Sequence, residues 1–87
     1  MKFLRSLRGE GVLVSDAQEV LVTYQLDIFE SGFGRTGSGV LEGRLSESFT
    51  EGAARLRLAD GQEFAVTLQD IDDDGAAFET RAAPQAG

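Results

Sequence analysis

Carboxylates are the only side chains of this chain whose number and spacing could support chemistry. The 87-residue sequence has no histidine and no cysteine, and it has a single lysine and a single tyrosine. The usual general base, the thiol nucleophile and the imidazole partner of a serine nucleophile are therefore missing. A pair of carboxyl groups for glycoside hydrolysis needs a cleft and one raised pKa, which no pattern here indicates. We expect a protein that is not an enzyme, with no catalytic residue and no cofactor.

The densest run of carboxylates has the spacing of a calcium loop. Residues 70–75 read Asp-Ile-Asp-Asp-Asp-Gly, which fits the first six positions of D-x-D-x-D-G. The twelfth position of such a loop supplies a bidentate glutamate, but here it is Arg81. The same residues also form an ordinary Asp-Gly turn between strands. Both interpretations stay open: a solvated turn, or a weak calcium site with Asp70, Asp72 and Asp74 as ligands.

A second motif, at residues 32–37, matches the G-x-G-x-x-G pattern of dinucleotide-binding loops. That loop must lead from a strand into a helix whose N-terminus holds the pyrophosphate. Here residues 38–43 read as a strand instead. The pattern therefore favours a glycine-rich hairpin loop that exposes Phe33 beside Arg35, residue types that are enriched at binding surfaces.

Charge argues against two classes of partner. The chain has a net charge of −7, and residues 59–87 hold seven acidic residues against Arg81 alone, a net of −6. Such a field repels phosphate backbones and anionic lipids, so we expect neither a nucleic acid nor a membrane as partner. A nucleic-acid binder resembling an OB-fold is the disfavoured alternative, and its basic strip would be Arg35, Arg44, Arg55 and Arg57.

Location is predicted from the absence of cysteine and of a targeting segment. A disulfide-free chain of this length fits the cytoplasm. The basic opening residues 1–8 are interrupted by charges and lack the continuous apolar run of a signal peptide. We expect a cytoplasmic protein.

Alternation of apolar and polar residues predicts an all-β fold. Within 19–30 the even positions from 20 to 28 are apolar and most odd positions are polar, and glycines and Asp-Gly pairs separate the other alternating segments. We expect a single domain over residues 1–81, built as a small six-stranded antiparallel barrel or rolled sheet of SH3-like or OB-like size, and a disordered tail over 82–87. A capping-box spacing at 48–51 admits one short helical turn near residues 47–52. The predicted strands are 11–14, 19–30, 38–45, 54–59, 63–69 and 76–81.

Parity of the inward positions predicts how these strands pair. The Asp60-Gly61 turn needs three loop residues, with the glycine in the left-handed conformation, if Leu58 is to face Phe64. By the same parity Leu68 faces Phe78, Tyr24 covers Gly43, and Leu13 lies directly beside Leu21 on the outer face.

The first hairpin is therefore predicted to be apolar on both faces, which a solvated barrel wall does not need. Two explanations stay open. The N-terminal Phe3, Leu4 and Leu7 fold back over the outer face, or that face binds a protein partner or a second copy of the chain. We favour a protein-interaction module or homo-oligomer, with an interface formed by Leu13, Leu21, Phe29, Phe33 and Arg35.

Overall fold

The computed structural model describes residues 2–15, 18–32, 34–45 and 49–81. These residues contain no helix, and so none that is long and apolar enough to cross a membrane. Six strands account for most of them: β1 (Lys2–Ser15), β2 (Gln18–Ser31), β3 (Gly34–Glu42), β4 (Gly52–Leu58), β5 (Glu63–Gln69) and β6 (Gly75–Thr80).

The strands form two three-stranded meanders that close on each other. β1, β2 and β3 pair in chain order, as do β4, β5 and β6, and the barrel closes in the order β1-β2-β3-β6-β5-β4. All six pairings are antiparallel. The predicted all-β class is confirmed, and the sheet is a closed barrel rather than an open roll.

β1 is much longer than the predicted strand at 11–14. A bulge between Phe3 and Arg5 shifts its register, and Leu4 is the extra residue. An extra residue breaks the period of two, which is why residues 2–8 show no clean alternation. Residues 2–8 nevertheless belong to the strand, and they pair with residues 25–30 of β2.

The barrel interior is filled by aliphatic side chains and a few aromatic rings. Thr80 is the buried polar residue of the described chain, and its hydroxyl donates a 2.7 Å hydrogen bond to the carbonyl oxygen of Ala65. A buried polar group without a partner is costly, so this bond removes the penalty of burying the hydroxyl. The largest fully buried side chains are those of Leu13, Leu26, Leu41, Leu45, Leu56, Leu68 and Phe78.

The turn between β4 and β5 has the predicted three-residue loop. The N–H of Leu58 donates to the carbonyl of Gln62 at 2.7 Å, and Gly61 has a φ of +94°. The predicted facing of Leu58 and Phe64 is wrong by two residues, since Leu56 is the partner of Phe64. Because the slip is even, the inward parity is unchanged.

Two further pairings test the parity argument. Leu68 faces Phe78 across β5 and β6, as predicted. Tyr24 does not cover Gly43, because it pairs with Leu41 on β3. Its ring lies over Gly9 of β1 instead, where an added Cβ would be 3.4 Å from the phenol oxygen. The predicted contact between a ring and a strand glycine is present, but on the opposite neighbouring strand.

Two predicted features fall wholly or partly outside the described residues. The tail at 82–87 lies entirely outside them, as does the start of the helical turn near 47–52. Residues 49–51 of that range carry no helix, and Gly52 already begins β4. The N–H of Phe49 donates to the carbonyl of Leu45 at 2.8 Å, which ties the β3–β4 connection to the core.

Gly39 is a position at which the barrel tolerates no side chain. A Cβ there would lie 1.9 Å from the carbonyl oxygen of Gln25 on β2, a backbone atom that cannot move aside. We expect Gly39→Ala to lower the free energy of unfolding by about 3 kcal/mol, the scale of an overpacked interior. Urea unfolding followed by circular dichroism measures the difference. The control is Gly32→Ala, because a Cβ at Gly32 meets nothing within 4 Å; equal stability of the two variants would contradict the close approach.

Candidate functional site

The outer face of the β1-β2-β3 sheet carries the exposed large hydrophobic residues of the described chain. Leu21 is 69% exposed, Phe3 54% and Val40 50%. Single exposed apolar residues are common on soluble proteins. Whether they form a binding surface therefore depends on the residues that lie beside each of them on the paired strands.

Leu21 lies beside Val12, its direct cross-strand partner on β1. Val14 lies two residues further along β1 and shares this face, and both valines are half-buried. On the other side of β1, Val12 pairs with Arg57 and Val14 with Arg55. We call Val12, Val14 and Leu21 the outer patch.

Ion pairs border the outer patch. Arg57 contacts the Glu19 carboxylate at 3.2 Å, and Arg55 forms an ion pair with Glu63. Exposed pairs of this kind add little to stability. The result is a small apolar surface that ion-paired residues border on one side, an arrangement found at protein interfaces.

Leu13 is not part of this surface, contrary to prediction. It is completely buried, because it pairs with Val20 on one side and Leu56 on the other. The physical reason is a register one residue away from the expected one: Ser15 pairs with Gln18, which leaves a two-residue connection. A one-residue slip turns every side chain to the opposite face.

Val12 is the residue that the sequence reasoning missed. The signal for it lay in Arg8 and Glu10, two charged residues with the same parity on β1. Extending their outward orientation along the strand places Val12 outside and Leu13 inside. The predicted first strand began only at residue 11, so this signal was not used.

The aromatic part of the predicted interface lies apart from the outer patch. Phe29 is half-buried, and its ring meets that of Phe3 edge to face, with 5.7 Å between centroids and an interplanar angle of 67°. Polar cross-strand pairs such as Ser6 with Asp27 separate this ring pair from the outer patch. The predicted interface is therefore divided between two separate surfaces.

The remaining interface residues are placed as follows. Phe33 lies outside the described residues, and Arg35 is exposed near the start of β3, opposite Glu30. The glycine-rich motif leads into a strand, as predicted, but its loop is shorter than expected because Ser31 already pairs with Gly34.

The N-terminal segment does not cover the outer patch. Phe3, Leu4 and Leu7 belong to β1 and pair along β2, in line with Val12 and not across it. Leu4 and Leu7 pack against the core. At about 3.3 Å per residue, Phe3 lies roughly 25–30 Å along the strand from Val12. The first of the two explanations for a two-faced hairpin is therefore wrong for the outer patch, although Phe3 does pack on Phe29.

The acidic turn between β5 and β6 is shaped by its own hydrogen bonds. One oxygen of Asp72 accepts from the N–H of Asp74 at 2.8 Å and of Gly75 at 2.9 Å. The N–H of Asp70 donates to Glu51 at 3.0 Å. In the part of the chain that the structure describes, no three acidic side chains are grouped so that they could hold a metal ion. Calcium binding by Asp70, Asp72 and Asp74 stays a prediction from the sequence.

The four arginines of the alternative basic strip do not share one surface. Arg55 and Arg57 lie on β4 and are paired with carboxylates. Arg35 lies near the β2–β3 connection, and Arg44 follows β3.

Tyr24 is the inward-facing ionisable group of the barrel wall. Burial raises the pKa of its hydroxyl, and the nearby Asp60 carboxylate raises it further. The pKa of Asp60 itself is lowered, first by a hydrogen bond from the backbone N–H of Gln62 and then by one from the Gln62 side chain. Asp60 is therefore ionised at neutral pH, whereas the phenol of Tyr24 is neutral.

Comparison of this chain with protein-family models, with curated proteins and with solved structures gives no match. The chain's own geometry is what bears on function: a small closed antiparallel β-barrel with an uncovered apolar patch on its outer wall.

The raised pKa of Tyr24 predicts how stability changes in alkali. The neutral phenol favours the folded state, so its contribution is complete below the ordinary pKa of about 10 and is lost as pH rises through the higher folded value. Ultraviolet absorbance measures this titration cleanly, because Tyr24 is the only tyrosine and tryptophan is absent. We expect a higher midpoint in the folded protein than in guanidinium. Equal midpoints would contradict the burial effect.

Proposed function

We propose that the protein is a non-enzymatic interaction module that binds a protein surface through the outer patch. The observation that supports this most directly is Leu21, which is 69% exposed in the middle of a strand and lies opposite Val12. The adjacent residues of β2, Val20 and Val22, contribute to the packed interior, and Val22 is 2% exposed. An outward leucine adds nothing to that core.

The energetics favour covering this patch. Full burial of a leucine side chain is worth about 2 kcal/mol, and the neighbouring valines add to it. The ion pairs of Arg57 with Glu19 and of Arg55 with Glu63 surround the patch on the β4 side. A contact that buries an apolar centre and leaves such pairs at its border excludes water from the centre.

The interface must be wider than the outer patch itself. A stable protein contact covers about 800 Å² on each partner. The total accessible surface is 5535 Å², so such a contact would take about a seventh of it. The outer faces of β1, β2 and β4 are continuous around the patch.

The remaining parts of the proposal come from composition. Without histidine or cysteine the chain lacks the usual catalytic bases and thiols, which supports a binding role. A cytoplasmic location agrees with the absence of cysteine. The partner is a second copy of the chain or a different protein.

Leu21→Lys tests the proposal without disturbing the core. Because the side chain is exposed, we expect stability to change by less than about 0.5 kcal/mol and association to be lost. Thr67→Lys is the matched control, since Thr67 is exposed in the middle of β5, outside the proposed interface. Light scattering across a range of protein concentrations measures self-association.

A different protein as partner is measured by affinity capture with quantitative mass spectrometry. We expect the unaltered protein and Thr67→Lys to retain a protein that Leu21→Lys loses. Concentration-independent monomers, together with identical captured proteins for all three chains, would contradict the proposed function.

A further inference from the structure

The outer patch lies on a part of the barrel wall that three neighbouring strands form. β1 pairs with β2 along its whole length and with β4 through Gly11–Val14, so the order across this wall is β4, β1, β2. We call the outward side of these three strands the outer wall. The pairing register decides which charged side chains it carries around the patch.

Six charged side chains of the described residues belong to the outer wall. On β1 and β2 they lie an even number of residues from Val12 and Leu21, and on β4 they pair with Val12 and Val14. The bulge near the start of β1 turns Lys2 and Arg5 to the opposite face of that strand. The six residues are Arg8, Glu10, Glu19, Asp27, Arg55 and Arg57.

The charges of the outer wall cancel, because three of the six side chains are cationic and three are anionic. The net charge of −7 therefore belongs to the rest of the chain. Two copies of the chain that approach each other through their acidic surfaces repel. Two copies that approach through their outer walls meet no such net repulsion, and they bring their apolar patches into contact.

The charges are also sorted by strand across the outer wall. Arg55 and Arg57 make the outward side of β4 cationic. Glu19 and Asp27 make that of β2 anionic, whereas the two charges of β1 between them cancel. A two-fold axis parallel to β1 turns one wall over onto another, so that β4 of each copy faces β2 of the other. The wall is then complementary to itself, as a symmetric interface between identical chains requires.

The apolar residues take the centre of such a contact. Val12 and Val14 lie on the middle strand, so the valines of the two copies meet at the axis. Leu21 lies in the same row as Val12 and Arg57, so it packs against the aliphatic stem of that arginine in the other copy. Arg55 lies in the row of Val14 and Glu19 and therefore meets the glutamate of the other copy. Because both sheets twist, the two walls are closest near the patch and diverge along the strands.

We propose that the outer patch binds a second copy of the chain, and that the two copies pack through their outer walls about a two-fold axis parallel to β1. The inference rests on the proposed protein-binding function and names its partner. Three observations carry it: the exposed Leu21 beside Val12, the neutral wall of an acidic chain, and the sorting of cations to β4 and anions to β2.

Dimer formation is measured by size-exclusion chromatography with light scattering, from micromolar to near-millimolar protein. We expect the unaltered chain to form dimers and Leu21→Lys to remain monomeric, because the contact would bury the ammonium group of the lysine. Thr67→Lys adds the same charge on β5, outside the outer wall, and should dimerise as the unaltered chain does.

Two charge variants test the arrangement of the dimer. One carries Arg55→Glu with Arg57→Glu, and the other carries Glu19→Lys. In a dimer of either variant with itself, like charges of β4 and β2 face each other at both contacts. Each variant alone should therefore dimerise at least about tenfold more weakly than the unaltered chain. Thermal unfolding verifies that both variants are folded, which we expect because exposed ion pairs add little to stability.

An equimolar mixture of the two charge variants should restore association. The glutamates introduced on β4 of one chain then face the lysine introduced on β2 of the other, and the second contact keeps its original charges. Native mass spectrometry identifies the heterodimer by its mass. Both variants keep a negative total charge, so attraction between oppositely charged molecules does not account for a heterodimer.

Four results would overturn the inference. They are an unaltered chain that is monomeric over the whole concentration range, dimers that persist in Leu21→Lys, folded charge variants that each dimerise as the unaltered chain does, and a mixture without heterodimer. The proposed function is judged separately by affinity capture. A monomeric chain that retains another protein through Leu21 would overturn this inference and leave the proposed function standing.

Discussion

The pairing register of β1 and β2 is the constraint on which the rest of the barrel depends. Ser15 opposite Gln18 decides that Leu13 faces inward and Leu21 outward. From that register β1 presents Leu13 to Leu56 of β4, the ladder that closes the barrel on one side. β2 in turn places Leu26 opposite Gly39 of β3. A slip of one residue in the first hairpin would exchange the inner and outer faces of β1.

The alternation of apolar and polar residues revealed the fold class, because most strands here have one face exposed to solvent and one face buried in the core. The segments around Phe64 and Leu56 follow the period of two without interruption, and their inward parity was predicted correctly. The same holds for Leu68 opposite Phe78. Where one face is buried along a whole strand, the pattern contains the information that the fold needs.

Register was less predictable, because it depends on loop length and on bulges that leave little trace in the pattern. The Leu4 bulge disrupted the alternation of β1 and concealed half of the strand. That loss hid the outward charges of Arg8 and Glu10, and it led to the wrong face for Leu13. Gly39 shows the same limit. No side chain fits at this position because a backbone atom of β2 lies too close, and only the tertiary structure brings that atom near.

The closure of the two meanders has a consequence for how fast the chain folds. Each meander joins neighbours in sequence, whereas the β1–β4 ladder joins positions 11 and 58 and the β3–β6 ladder joins positions 37 and 80. Entropy must be lost in ordering the chain between those positions before either ladder contributes free energy. High contact order of this kind places the barrel among the slower small folds, with the hairpins formed early and the two long-range ladders last.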